Sequence, residues 1–146
     1  MGAWGAGSFE NDDAQDWIWE FEAEGVSAVE AVFMSTREAF ASGYVESPEA
    51  SMSIAAAELI AAAHGKPMAL DGEAGQIDRE ILKKALGDHA DDVRARRDLP
   101  KLALEVLAMI TASEETSELL GLWSDAGAEE FLANVDDLRQ RLRAVE

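Results

Sequence analysis

The chain has 146 residues, 48% of them hydrophobic, and its 30 acidic and 12 basic residues give a net charge of −18. This length and composition predict one folded domain over residues 1–146. The acidic surface argues against nucleic-acid binding, because it repels phosphates, and the absence of cysteine excludes disulfides and thiolate metal sites.

A glycine-rich arm, residues 1–11, opens the chain and carries two aromatic residues, Trp4 and Phe9. Glycine costs about 1 kcal/mol relative to alanine inside a helix, so we expect this arm to be irregular. The two aromatic side chains are expected to hold the arm against the rest of the protein.

The first helix is predicted to follow the arm and to end at about Glu24, because Gly25 suits the position beyond a helix end. Trp19 falls off the apolar face of this helix and is expected to be exposed. The candidate N-terminal caps are Asn11, Asp12 and Asp13. The predicted buried face consists of Ala14, Trp17, Ile18 and Phe21.

A second helix is predicted to begin at Ser27 and to end near Gly43. Ser27 and Glu30 have the spacing of a capping box, in which each side chain accepts a hydrogen bond from a free backbone N–H group. The predicted inner face of this helix consists of Val29, Val32, Phe33 and Phe40.

The least polar long helical stretch covers residues 51–64. Ser47 suits its N-terminal cap, Pro48 its first turn and Gly65 the position beyond its end. Because small and apolar residues cover most of its circumference, we predict a buried central helix against which the others pack. The predicted edge facing water consists of Ser51, Glu58 and Ala62.

The rest of the chain is predicted to be helical in segments separated by turns. Residues 66–75 are rich in turn residues and predict a loop. A helix is predicted to follow this loop and to end at Gly87. A short helix or a turn fits residues 117–123. The narrow apolar seam of the last helix is expected to dock on the body rather than on a partner. The predicted helical segments are 76–86, 88–97, 99–110, 117–123 and a last helix from about 128.

No stretch alternates apolar and polar residues as a strand would, so we predict an all-α fold. The expected architecture is a compact bundle of about six to seven helices around the alanine-rich central helix. The central helix is too short to span a bilayer, and the N-terminus lacks the pattern of a signal peptide. We therefore expect a cytoplasmic protein, monomeric or homodimeric, that does not bind membranes.

Two sets of residues carry a resemblance to a known family. The first set opens the chain and consists of Met1-Gly2, Trp4-Gly5, Gly7, Phe9, Asp13-Ala14 and Asp16-Trp17. The second set consists of Ala55-Ala56-Ala57-Glu58, Gly65, Ser117-Glu118-Leu119 and Leu122-Trp123. With these residues the chain resembles, over nearly its whole length, the mostly bacterial family called domain of unknown function 4259. This resemblance implies no activity, cofactor or catalytic residue.

The residue types that bind metals do not predict a metal site here. Asp12, Asp13 and Asp16 are carboxylates of the kind that hold calcium or magnesium, but a capped and solvated first helical turn explains them better. The two histidines, His64 and His89, lack the spacing of metal ligands. His64 is instead expected to serve the free carbonyl groups at the end of the central helix. We predict no cofactor and no catalytic residue.

The charges are unevenly distributed, with 15 acidic and two basic residues in 1–78 against 15 acidic and ten basic in 79–146. The basic region at residues 83–101 is therefore expected to pair with the acidic first half rather than to bind an anion. Glu58 stands in the apolar central helix. We expect its side chain to lie on the solvated edge of that helix, because burial of a carboxylate is unfavourable.

Two functions compete. The favoured hypothesis is a small acidic interaction module, of the inhibitor or immunity-protein type, that binds a basic protein partner and has no catalytic activity. The alternative is an enzyme or a protein that binds a small molecule or metal in a pocket between the arm and the central helix. The candidate ligand-binding residues for the alternative are Trp4, Asp13, Trp17, Glu58 and His64.

Overall fold

The computed structural model describes residues 8–9, 11–68 and 79–146 of the chain. These residues form helices and connecting turns, and the described part contains no β-strand, which confirms the all-α prediction. The helices are α1 (Asp12–Glu24), α2 (Val26–Ala41), α3 (Ser47–Ala63), α4 (Arg79–Ala95), α5 (Leu99–Ile110), α6 (Glu118–Ala126) and α7 (Ala128–Arg143). None of them is long and apolar enough to cross a membrane.

Helix α3 is the centre of the fold, as its composition predicts, and it packs against each of the other six described helices. Gly65 lies just beyond its end with a φ of 81°, the left-handed conformation for which glycine is favoured. The predicted edge facing water is wrong at two of its three positions. Ser51 and Glu58 are buried, and Ala62 alone stays partly exposed. The six helices packed around α3 cover the edge that holds Ser51 and Glu58.

The start of α3 also differs from the prediction. Glu46, not Ser47, occupies the cap position, and its side chain makes no capping bond. The backbone N–H of Ser47 instead donates to Oε1 of Glu118 at 2.8 Å. Beside it, Val45 and Ser117 form an isolated bridge, which ties the start of α3 to the start of α6. At the start of α3, a free backbone N–H group is therefore satisfied by the carboxylate of Glu118, which is distant in sequence, and not by a serine cap.

Helices α1 and α2 are separated by Gly25 alone. Asn11 is the cap of α1, and its side chain accepts from the backbone N–H of Ala14 at 2.8 Å. The buried residues of α1 are those predicted, Ala14, Trp17, Ile18 and Phe21. The capping box predicted at Ser27 and Glu30 is absent, because α2 begins earlier, at Val26, and both side chains point outward as exposed residues.

Helix α4 runs unbroken through Gly87, so the predicted helix end there is wrong and the two predicted helices are one. Its buried residues, Ile81, Leu82, Ala85 and Val93, continue on both sides of the glycine. A penalty of about 1 kcal/mol for glycine is small beside that packing. The start predicted at residue 76 and most of the predicted loop 66–75 lie outside the described residues.

The C-terminal helices complete the core. Pro100 stands in the first turn of α5, and Ser117 caps α6 by accepting from the N–H of Leu120 at 3.3 Å. The apolar seam of α7 docks on α3 and α5, as expected. That seam consists of Phe131, Val135, Leu138 and Leu142.

Candidate functional site

A buried ion pair joins α3 to α7. Glu58 is only 1% exposed, and Arg141 holds its carboxylate in a two-pronged contact, Nη1 to Oε1 at 2.7 Å and Nη2 to Oε2 at 3.1 Å. The hydroxyl of Ser8 donates to Oε2 at 2.6 Å. Burial of this carboxylate overturns the expectation of a solvated edge, because α7 and the residues before α1 cover that side of α3.

The network extends beyond the ion pair. Asn134 donates to the Ser8 hydroxyl at 2.9 Å, and Arg141 donates to Asp137 at 2.9 Å and to the carbonyl of Lys66 at 3.1 Å. Burial would lower the pKa of Arg141, but hydrogen bonding and attraction to Glu58 outweigh it and raise that pKa above its usual value. The guanidinium is therefore a permanent cation that fastens α7 to α3 and to the turn after α3.

An apolar cavity of about 350 Å³ lies beside Glu58, between the end of α3 and the first turns of α4. Its lining is almost entirely hydrocarbon, because the Glu58 oxygens are engaged by Arg141 and Ser8. Besides Glu58, Lys83 is the charged residue among the described residues that line the cavity. The lining consists of Phe9, Glu58, Leu59, Ala62, Pro67, Met68, Leu82, Lys83 and Leu86.

The described residues among the predicted ligand-binding set lie in different parts of the fold. Asp13 is exposed on the outer side of α1, and Trp17 is buried in the core with its ring stacked on Phe21 at 5.5 Å between centroids. Trp4 lies outside the described residues. Of the predicted residues that are described, only Glu58 lines the cavity. Phe9, one of the described residues of the arm, also lines it.

His64 occupies the C-terminal cap position of α3, but the structure gives its expected role to Arg94. Nη1 of Arg94 donates to the carbonyl of Ala63 at 2.8 Å and places a cation at this end of the helix. Burial, with repulsion from Arg94, lowers the pKa of His64. Its Nε2 atom is buried and has no hydrogen-bond partner in the described part of the structure. The imidazole is therefore neutral near pH 7.

Two cations of the basic region, Lys84 and Arg96, pair with the acidic first half, as expected of the region as a whole. Arg96 forms an ion pair with Glu30 of α2 and another with Asp98. Lys84 likewise pairs with Glu22 of α1 and with Asp88. These contacts hold α4 and the turn after it against α1 and α2, and they neutralise Lys84 and Arg96 but not Lys83 of the same region.

The outer face of α1 is predominantly acidic. The helix contains six acidic residues and no basic one, and Glu22 alone among them is paired with a described base. Trp19 stands on this face and is 58% exposed, as predicted from its position off the apolar stripe. The acidic residues around it are Asp12, Asp13, Asp16, Glu20 and Glu24, all exposed.

The clustered carboxylates do not form a metal site within the described residues. No group of three or more histidine, aspartate or glutamate side chains there is placed to hold a metal ion. Asp12 and Asp13 instead stand in the first turn of α1, where negative charge favours the helix dipole and Asn11 supplies the cap.

A wider groove of about 720 Å³ lies between α2 and α5. Met34, which is 60% exposed, and Met109 give it an apolar floor. Charges of both signs surround that floor, including the paired residues Arg96 and Glu30, so the groove favours no single class of partner.

Sequence reasoning missed the residues that organise the buried site. Nothing local distinguishes Arg141 from its neighbours Arg139 and Arg143, and Ser8 stands in a glycine-rich arm with no helical pattern. The one usable signal was Glu58 itself, since a lone carboxylate in an apolar helix requires a partner when it is buried.

The fold and these sites define an acidic all-α protein with a buried ion pair, an apolar cavity and an acidic outer helix. The chain belongs to the family described as Domain of unknown function (DUF4259), whose model matches residues 2–134. No curated protein and no solved structure is significantly similar to it.

Proposed function

We propose that this protein is an acidic interaction module that binds a basic protein surface through the outer face of α1. The observation that carries the proposal is the exposure of Trp19, at 58%, among carboxylates that form no ion pair with any described residue. Inhibitors and immunity-type proteins that mask a basic site on a target have this kind of surface. The cysteine-free composition fits the reducing cytoplasm, where we expect the partner to be met.

An exposed tryptophan is the side chain that contributes most to protein interfaces. Tryptophan, tyrosine and arginine dominate the binding energy of interfaces, and a tryptophan ring also attracts lysine and arginine through its π face. Trp19 is not part of the core. The buried face of α1 is filled by Trp17 and Phe21, and Trp19 points away from it. A partner that presents arginine or lysine would satisfy both the ring and its acidic neighbours.

The surrounding charge supplies selectivity and fast association. Asp16 and Glu20 lie within one turn of Trp19, and no base of α1 neutralises them. Such a surface attracts a basic partner at long range and repels an acidic one, and salt weakens the attraction.

The test places a photo-crosslinking amino acid at Ala23, which is exposed one turn after Trp19, and irradiates cells of the native host. The control carries the same group at Ala133, which is exposed on α7. We expect a single basic protein to be captured from position 23 and not from position 133. Capture should disappear in the double variant Asp16→Lys/Glu20→Lys and persist in Glu105→Lys/Glu129→Lys, which reverses two exposed charges elsewhere.

With the captured protein purified, Trp19→Ala should weaken binding about thirtyfold, as expected for an interface hot spot. Met34→Ala removes another exposed side chain and should leave the affinity unchanged. Raising the salt concentration should weaken the wild-type complex. Capture that survives charge reversal on α1, or affinity that is indifferent to Trp19, would refute the proposal.

A further inference from the structure

The cavity beside Glu58 has the character of a ligand site and is independent of the proposed interaction surface. Its volume of about 350 Å³ is within the range of about 300–1,000 Å³ typical of small-molecule pockets, near the lower end. Leu59 of α3, Leu82 and Leu86 of α4, and Phe9 supply most of its large apolar side chains. The pocket is therefore suited to a short or medium-length hydrocarbon body.

The polar groups at this cavity have different roles. The carboxylate of Glu58 accepts three hydrogen bonds from Arg141 and Ser8, and Arg141 balances its charge, so it requires nothing from a ligand. Lys83 is exposed and lines the cavity, so its ammonium can reach the opening from the solvent side. It forms no ion pair or hydrogen bond with any described residue, unlike its neighbour Lys84.

From this arrangement we propose that the cavity binds a small apolar carboxylate of the medium-chain fatty acid class. The hydrocarbon chain lies between Leu59, Leu82 and Leu86, and the carboxylate meets the ammonium of Lys83 at the opening. The negative charge of the remaining surface disfavours anions in general, so binding requires the hydrophobic chain as well as the ammonium. The proposal does not depend on a partner at α1.

The first measurement is calorimetric titration of the whole protein with hexanoate, octanoate and decanoate below their micelle concentrations, with decanol as the neutral probe. Each added methylene should tighten binding about fourfold while the cavity has room. Decanoate should bind more tightly than decanol, because only the acid pairs with Lys83. Absence of binding by decanoate and decanol would overturn the proposal.

Two pairs of variants locate the ligand. Ala62→Phe fills the cavity from α3 and should abolish binding of decanoate, whereas Ala108→Phe, at an exposed position of α5, should not change it. Lys83→Gln should weaken the binding of decanoate severalfold and leave the binding of decanol unchanged. Lys101→Gln, at another exposed lysine, should change neither affinity. Equal binding by wild type and a folded Ala62→Phe would place the ligand elsewhere.

A second readout does not depend on the folding of any variant. Amide NMR spectra of the wild-type protein titrated with decanoate should shift at Leu59, Ala62, Leu82 and Leu86 and stay constant along α5. Shifts spread over the exposed surface would show detergent-like association and overturn the site. Equal affinity for decanoate and decanol, with no effect of Lys83→Gln, would overturn the assigned carboxylate.

Discussion

Arg141 reaches across 83 residues of sequence to hold both carboxylate oxygens of Glu58. The glutamate side chain is 1% exposed and that of the arginine 13%, so water screens their attraction poorly. Removing both charges from water is costly, and the bonds from Ser8 to Glu58 and from Arg141 to Asp137 offset part of that cost. The pair specifies how α7 and the segment containing Ser8 close over the central helix.

Removal of one partner of this pair should strongly destabilise the fold. Arg141→Met leaves the Glu58 charge buried without compensation, and we expect the free energy of unfolding to fall by about 3–5 kcal/mol. Urea unfolding followed by circular dichroism measures this. Asp136→Ala, which breaks the exposed pair with Arg139, is the control and should cost at most about 1 kcal/mol.

The double variant Glu58→Met/Arg141→Met separates the ion pair from the loss of packing. With neither charge buried, its stability should lie well above that of Arg141→Met, because apolar residues of similar size often replace a buried pair without loss. A double variant no more stable than the single one would show that Arg141 contributes by packing and not by compensating Glu58.

Ser8 should contribute as a bridging hydroxyl. It donates to Glu58 at 2.6 Å and accepts from Asn134 at 2.9 Å, so Ser8→Ala removes a donor from the carboxylate and the acceptor of the amide. We expect a loss of about 1–3 kcal/mol in the free energy of unfolding. Ser124→Ala, at an exposed position in α6, should be neutral. Equal stability of the two variants would contradict the role of Ser8.

His64 should make stability depend on pH. Burial and Arg94 lower its pKa in the folded protein below the value of 6.5 expected when unfolded. The unfolded chain therefore binds more protons, and the free energy of unfolding falls as pH drops from about 7 through 6.5 towards the lowered pKa. His64→Gln should flatten this part of the curve from urea unfolding at a series of pH values. An unchanged slope would contradict the assignment.

The sequence predicted features that depend on neighbouring residues. The burial of α3 and the inner face of α1 follow from apolar spacing alone, and so does the exposure of Trp19. It did not predict the environment of Glu58, because the decisive partner is 83 residues away and no local pattern points to it. The cap predicted at Ser47 failed for a related reason, since the distant Glu118 accepts from its N–H group. The cap predicted at Ser27 failed for a local one, because α2 already begins at Val26, directly after Gly25.

Gly87 and Gly25 show why a glycine signal requires structural context. Both were predicted to follow a helix, but only Gly25 has a positive φ, 62°, at the junction of α1 and α2. A Cβ atom there would lie 2.7 Å from Nδ1 of His89. That ring cannot easily retreat, because its Nε2 lies 2.7 Å from the carbonyl of Glu22 and its edge packs on Phe21. A Cβ at Gly87 would meet nothing within 4 Å.

The two glycines should therefore respond in opposite directions to alanine. Gly87→Ala should raise the free energy of unfolding by about 0.5–1 kcal/mol, because alanine loses less entropy in a helix and nothing obstructs its methyl group. Gly25→Ala should lower it by about 1–3 kcal/mol through backbone strain, in addition to the clash with His89. The midpoints of urea unfolding measure both changes, provided that the dependence of the unfolding free energy on urea concentration is the same for each variant. Destabilisation by Gly87→Ala would mean that α4 is interrupted at that residue, as the sequence alone predicted.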